Sequence, residues 1–156
     1  MMIDAELAGF MESAVMIIVG TRDDALRPQI GRAVGAVVDP AAGGVDLIVS
    51  NWQWPETIAN IRGNGRLAVT FARPSDYTSY QVKGPATVIP ATAAHRACAA
   101  RYVEAMTATL IGNGVETWVI VSQLIDHETV VLRMAVDMIF VQTPGDKAGR
   151  RLEPSQ

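Results

Sequence analysis

Apolar residues recur at spacings of three and four through Ile3, Leu7, Phe10 and Met11, which predicts a short amphipathic helix over residues 3–12 lying on an apolar surface. The apolar run from Ala14 to Gly20 is far short of the roughly 20 residues of a membrane helix. It reads as a buried strand, Val15–Thr21. A polar turn over 22–28 leads to Gln29–Asp39, where alternation and small residues suit a strand pressed against another backbone or a ligand. Gly43-Gly44 marks a hairpin into Val45–Ser50. A helix opened by Pro55 carries Asn60–Asn64, and strands 67–72 and 80–89 flank a loop holding Pro74, Ser75 and Asp76. An Ala-rich helix spans 92–111, with Thr92 as its cap and Gly112-Asn113-Gly114 as its stop. Trp118–Ile125 and Val130–Val141 read as two final strands. Six or seven strands joined mostly by hairpins predict a mainly β fold with flanking helices (α+β), an antiparallel barrel over residues 1–145 followed by a tail, 146–156.

Composition narrows the partners. At 156 residues the chain is one domain long, and 49% hydrophobic against 19% charged leaves apolar surface that a subunit interface can bury. Net charge is −3 and the 13 basic residues are scattered, so no electrostatic footprint for nucleic acid or an anionic membrane stands out. Cys98 is the sole cysteine, and the N-terminus carries Asp4 and Glu6 where a signal peptide is basic. The expected compartment is the cytoplasm.

Little in the chain points to chemistry performed by side chains alone. His95 and Cys98 sit three apart on a helix, but two ligands do not make a metal site, and the expectation is a capping histidine and a small buried thiol. Asp126-His127-Glu128 reads as a solvated turn. No Gly-rich phosphate loop and no Gly-x-Ser-x-Gly elbow occurs. Polar and basic residues do gather at strand ends, at Ser50-Asn51 and Tyr80–Gly84, which suits a bound cofactor.

Arg32-Ala33-Val34, Ser50-Asn51, Asn60-Ile61-x-x-Asn64-x-Arg66-Leu67-x-Val69 and Gln81-Val82-Lys83-Gly84 together resemble the FMN-binding split barrels related to pyridoxamine 5′-phosphate oxidase, over roughly residues 5 to 145. That resemblance implies a split β-barrel homodimer with two FMN sites at the interface and a small-molecule substrate. It places Arg32 and Val34 at the flavin, Ser50 and Asn51 near the ribityl-phosphate end, and Gln81 and Lys83 near ring or phosphate. A phosphate wants charge-assisted donors, and the flavin itself would carry the electrons, so no catalytic acid or base is named. The chain departs from the family where a basic pair commonly opens the helix after the third strand. Glu56 and Thr57 stand there; Glu56 competes with a phosphate for the helix's positive end, while Thr57 can still donate one hydrogen bond.

Trp52 and Trp54, beside Pro55, either roof a substrate pocket or pack as a staple or dimer contact; Tyr80 either lines that pocket or pairs across strands. In the tail, Arg151-Leu152-x-Pro154 is similar to the closing motif of true pyridoxamine phosphate oxidases, but the accompanying Trp is absent and a disordered basic tail is the simpler expectation. The leading function is an FMN-dependent oxidoreductase acting on a small organic substrate. The alternatives are a non-catalytic haem- or flavin-binding protein of the same fold and a deazaflavin-dependent reductase, for whose longer anionic tail no extra basic patch is visible.

Overall fold

The computed structural model describes residues 3–153. Asp4 opens α1 (Ala5–Glu12) by accepting a 2.8 Å hydrogen bond from the Leu7 amide, and Leu7, Ala8 and Met11 turn inward. β1 (Met16–Arg22), β2 (Pro28–Asp39) and β3 (Gly44–Ser50) follow. α2 (Pro55–Asn64) precedes β4 (Arg66–Ala72) and β5 (Ser79–Pro90). The chain ends with α3 (Ala93–Gly112), α4 (Thr117–Gln123), β6 (Thr129–Ala135) and β7 (Met138–Val141).

All pairings are antiparallel. The order β4-β1-β2-β3-β6-β5 closes on itself through β4–β5, and β7 adds beside β5. The result is a closed six-stranded barrel with one extra strand and four flanking helices, the α+β architecture expected from the sequence. Alternation puts Ile17, Val19, Leu67, Val69, Phe71, Val82 and Ile139 inside the barrel. α3 lays His95, Ala99, Tyr102, Met106 and Leu110 against the barrel at helical spacing, chiefly over β2. It lies close because Gly35 (φ +154°) has no side chain: a Cβ there would sit 3.3 Å from Cys98 Sγ and 3.1 Å from Ile48 Cδ1.

Three predicted features differ. Trp118–Ile125 is not a strand: α4 occupies it, burying Ile120 and Leu124 four residues apart while Trp118 and Val121 face solvent. A β-branched run mimicked a strand, but one buried contact per turn is all this segment offers. Val130–Val141 is two strands, because β5 has two sets of neighbours. Its first half pairs with β4 and β7 and its second with β6, so the chain breaks at Val136-Asp137 to move from one to the other. Gly84 sits at that crossing, where a Cβ would overlap the Ala135 carbonyl oxygen. The tail is not disordered through Glu153: Arg151 bridges Phe140, and the Leu152 amide donates to Ile139 O at 2.8 Å. Pro154 of the closing motif lies outside the described residues.

Among the described residues no helix is long and apolar enough to cross a membrane.

Candidate functional site

The barrel has two kinds of outer surface. Over β2 and β3 the helix α3 covers it, and the polar groups there are paired. Asp46 Oδ1 accepts from Arg133 Nε and Oδ2 from Arg133 Nη2, both at 2.8 Å, and Oδ2 also accepts from His95 Nε2 at 3.0 Å. The Thr92 amide donates to His95 Nδ1 at 3.1 Å, which assigns the imidazole hydrogen to Nε2 and completes a capping box. His95 is thus the expected capping histidine. Arg133, and then His95, hold the Asp46 carboxyl below the usual carboxylate range against the opposing effect of burial. Tyr102 donates to Val15 O at 2.6 Å, and burial pushes its phenol up to about 12.

Among the described residues no helix covers the outer face over β1, β4 and the first half of β5. Residues paired across antiparallel strands share a side, so the register defines rows. One row runs Arg32, Ile18, Thr70, Gln81, Phe140; the next runs Ile30, Gly20, Ala68, Lys83, Met138. Ile30 is 63% exposed, and the other residues in the two rows are half-buried. Gln81 Nε2 donates to Thr70 Oγ1 at 3.3 Å, and Lys83 Nζ stands 5.1 Å above the Phe140 ring. Gly20 and Ala68 leave the second row nearly flat.

Arg32 is the irregular member. Its Nε and Nη2 are buried with no hydrogen-bond partner, although a buried donor without an acceptor costs roughly 1–3 kcal/mol, and more when charged. The Arg32 guanidinium stands beside the Tyr102 phenol, whose pKa it holds down against burial by charge and by hydrogen bonding; that hydroxyl donates its proton to Val15 O and keeps its oxygen lone pairs free to accept.

The structure brings Arg32, Gln81 and Lys83 onto one face, but not the other residues named from sequence. Val34 is buried in the core. Ser50 donates to His127 O at 2.6 Å and accepts from the Gln53 amide at 3.1 Å, while the Asn51 amide donates to Glu128 O. Both therefore pin their own loop. Thr57 is fully buried behind Gly31, on the opposite side of β2 from Arg32; a Cβ on Gly31 would lie 2.8 Å from Thr57 Oγ1 and 3.3 Å from the Trp54 ring. Thr57 Oγ1 has no hydrogen-bond partner there. Tyr80 packs edge-on against Phe10 at 5.3 Å, whereas Trp52 is 59% exposed and packs against His127 at 6.1 Å, so these aromatics do not share a pocket.

Sequence reading missed a basic cluster. Arg22 and Arg66 lie two residues beyond Gly20 and Ala68, on the same outer face, and with Lys83 they line a cavity of about 400 Å³. The period-two spacing from the small residues was the available signal. Cys98 is half-buried and burial pushes its thiol up, so it is a poor nucleophile. No group of three or more potential metal ligands occurs among the described residues.

No family model and no curated protein matches the chain. Solved structures do. An F420 reductase superposes with a TM-score of 0.58 at 13% identity, covering 88% of this chain and 98% of its own. A candidate pyridoxamine 5′-phosphate oxidase from Lactobacillus delbrueckii gives 0.56 at 15% identity, over 89% and 93%. HutZ, the haem storage protein of Vibrio cholerae, gives 0.53 at 15% identity, over 90% and 95%. The chain has the split-barrel fold of the pyridoxamine 5′-phosphate oxidase-like proteins, and proteins of that fold differ in the cofactor they hold.

Proposed function

We propose that the protein is an FMN-dependent oxidoreductase that works as a homodimer, with a second copy closing over the uncovered sheet face. The observation that carries this reading is the buried, partnerless guanidinium of Arg32 in one row with Gln81. Such a fork is satisfied by the acceptor edge of a planar ring, and the flat strip at Gly20 and Ala68 leaves room for a ring to lie against backbone. Bound flavin supplies the two-electron chemistry. The chain's own residues then have limited tasks: Arg32 donates to the ring edge, Gln81 offers its free carbonyl oxygen while its amide holds Thr70, and Lys83 adds positive charge nearby. Ile18, Ile30, Met138 and Phe140 exclude water once a partner covers them. The substrate would be a small organic molecule.

The α2 N-terminus fits the phosphate poorly, because Glu56 is exposed there and Thr57 points inward. A second reading, haem binding without catalysis, has support from His127. Of the two histidines, His95 has both ring nitrogens hydrogen-bonded, whereas the His127 side chain is 67% exposed beside Trp52, with Nε2 3.6 Å from Glu128 Oε1. The likeness to a haem storage protein is consistent with it.

Protein mixed with FMN and freed of excess is expected to retain a two-band flavin spectrum and to sediment as a dimer. Failure to retain FMN would overturn the flavin reading, and a stable Soret band after mixing with haemin would put the haem reading in its place.

A further inference from the structure

We propose that Arg22, Arg66 and Lys83 form an anion cradle that takes a phosphoryl group at the end of the uncovered sheet face. It rests on the flavin reading only for which molecule carries that group. All three residues line the same cavity of about 400 Å³, together with Gly20, Thr21, Ala68 and Gly84. The strand register explains why they meet. β1 and β4 pair Gly20 with Ala68, so the next outward positions, Arg22 and Arg66, fall side by side, and β5 presents Lys83 opposite Ala68. Arg66 and Lys83 sit on consecutive paired strands, and Arg22 joins them from a distant part of the chain through the β1–β4 pairing.

Charge is the second observation. None of the three cations has a carboxylate within ion-pair distance among the described residues: Arg22 Nη1 donates only to the Asp23 carbonyl at 3.0 Å, and Lys83 Nζ stands over Phe140. Among the described residues Arg27, Arg73 and Arg133 are the cations paired with an aspartate; what sets Arg22, Arg66 and Lys83 apart from the other unpaired cations is that they line one cavity. Asp137 is the acidic residue lining the cavity; it is exposed and in no ion pair. Three cations against one carboxylate leave a net charge of about +2. Arg22 and Arg66 bring like charges to one cavity, with the Lys83 ammonium over the neighbouring Phe140 ring, and a dianion relieves the repulsion among them.

The floor is the third observation. Gly20 and Ala68, paired on the outward side, bring backbone to the surface, while Gly84 faces the other way and makes room for the Ala135 carbonyl. A bulky oxyanion can therefore settle between the side chains. The α2 N-terminus, by contrast, offers an exposed carboxylate and an inward hydroxyl.

The test uses inorganic pyrophosphate as the probe, titrated calorimetrically at low salt into the full chain and into Arg22→Gln/Arg66→Gln, with circular dichroism to establish that the variant is folded. Wild type is expected to bind, and the double variant to lose at least roughly tenfold in affinity, since each charge-assisted contact removed is worth about that factor. Absence of pyrophosphate binding, or equal affinity in the variant, would overturn the cradle. Should the double variant misfold, Arg66→Gln alone and Arg66→Lys carry the test, with loss in the first and retention in the second.

FMN and riboflavin then tell the source. A loss for FMN but not riboflavin assigns the anion to the cofactor; unchanged FMN affinity with pyrophosphate still bound assigns it to a second, phosphorylated ligand. Pyrophosphate binding without any flavin binding leaves the cradle standing and removes the flavin reading. Flavin binding with a failed pyrophosphate titration does the reverse.

Discussion

The two outer faces of this barrel belong to different strands of one closed sheet, and one is finished while the other is not. Under α3, His95, Asp46, Arg133 and Tyr102 all have hydrogen-bond partners, and Gly35 lets the helix seat closely. At the border with α3, beside Tyr102, Arg32 has two buried donors without acceptors, and on the bare side Arg22, Arg66 and Lys83 have no carboxylate within ion-pair distance. Folding selects for the first arrangement, because unsatisfied polar groups cost stability. The second is retained at a cost, which is what a binding surface looks like before its occupant arrives.

If that contrast is right, truncation under α3 should be the most damaging change. Met106 is fully buried, and Met106→Ala is expected to cost about 3 kcal/mol in urea unfolding. A cost below about 1 kcal/mol would mean that α3 is only loosely seated.

Asp46→Asn should come next, at about 2 kcal/mol at neutral pH, since it removes a charge-assisted acceptor shared by Arg133 and His95. pH sharpens this expectation. The native carboxyl is depressed, so its stabilisation is present above the unfolded value of about 3.9 and is lost as pH falls through that value toward the native one. Urea midpoints measured from neutral pH down to about pH 3 should fall more steeply for wild type than for Asp46→Asn. Parallel acid limbs would count against the pairing.

The smallest stability effect is expected on the bare face, with a change of sign. Arg32→Leu should leave stability unchanged or raise it by about 1 kcal/mol, while FMN retention falls at least roughly tenfold. A substantial loss of stability would show that Arg32 serves the fold. Unchanged FMN retention would show that it does not serve the site.

Much of the fold was legible because strands that are buried on one side alternate, and the helices carry caps: Thr92 before α3, and Gly65 (φ +65°) after α2. α4 was not legible, since Trp118–Val121 has the composition of a strand and the lack of a pairing partner is a tertiary fact. The break between β6 and β7 was hidden for a similar reason, because β5 divides its length between two neighbours. Arg32, Gln81 and Lys83 were found from motif resemblance. Arg66 stood in the same motif without a role at the site and Arg22 stood outside it, because their proximity to Lys83 is created by the pairing of β1, β4 and β5. Thr57 and Val34 show the converse limit: motif position does not say which way a side chain faces.

The tail also does something its composition hid. β7 is the one strand added outside the closed ring, and a strand in that position offers unpaired amides and carbonyls to any extended chain that drifts by. Here residues 149–152 take those groups: the Val141 amide donates to Arg150 O at 2.9 Å, Val141 O accepts from the Gly149 amide at 2.7 Å, and Ile139 O accepts from Leu152. These residues of the sheet's own chain act as a selvedge, keeping the fabric from being knitted onward into a neighbour.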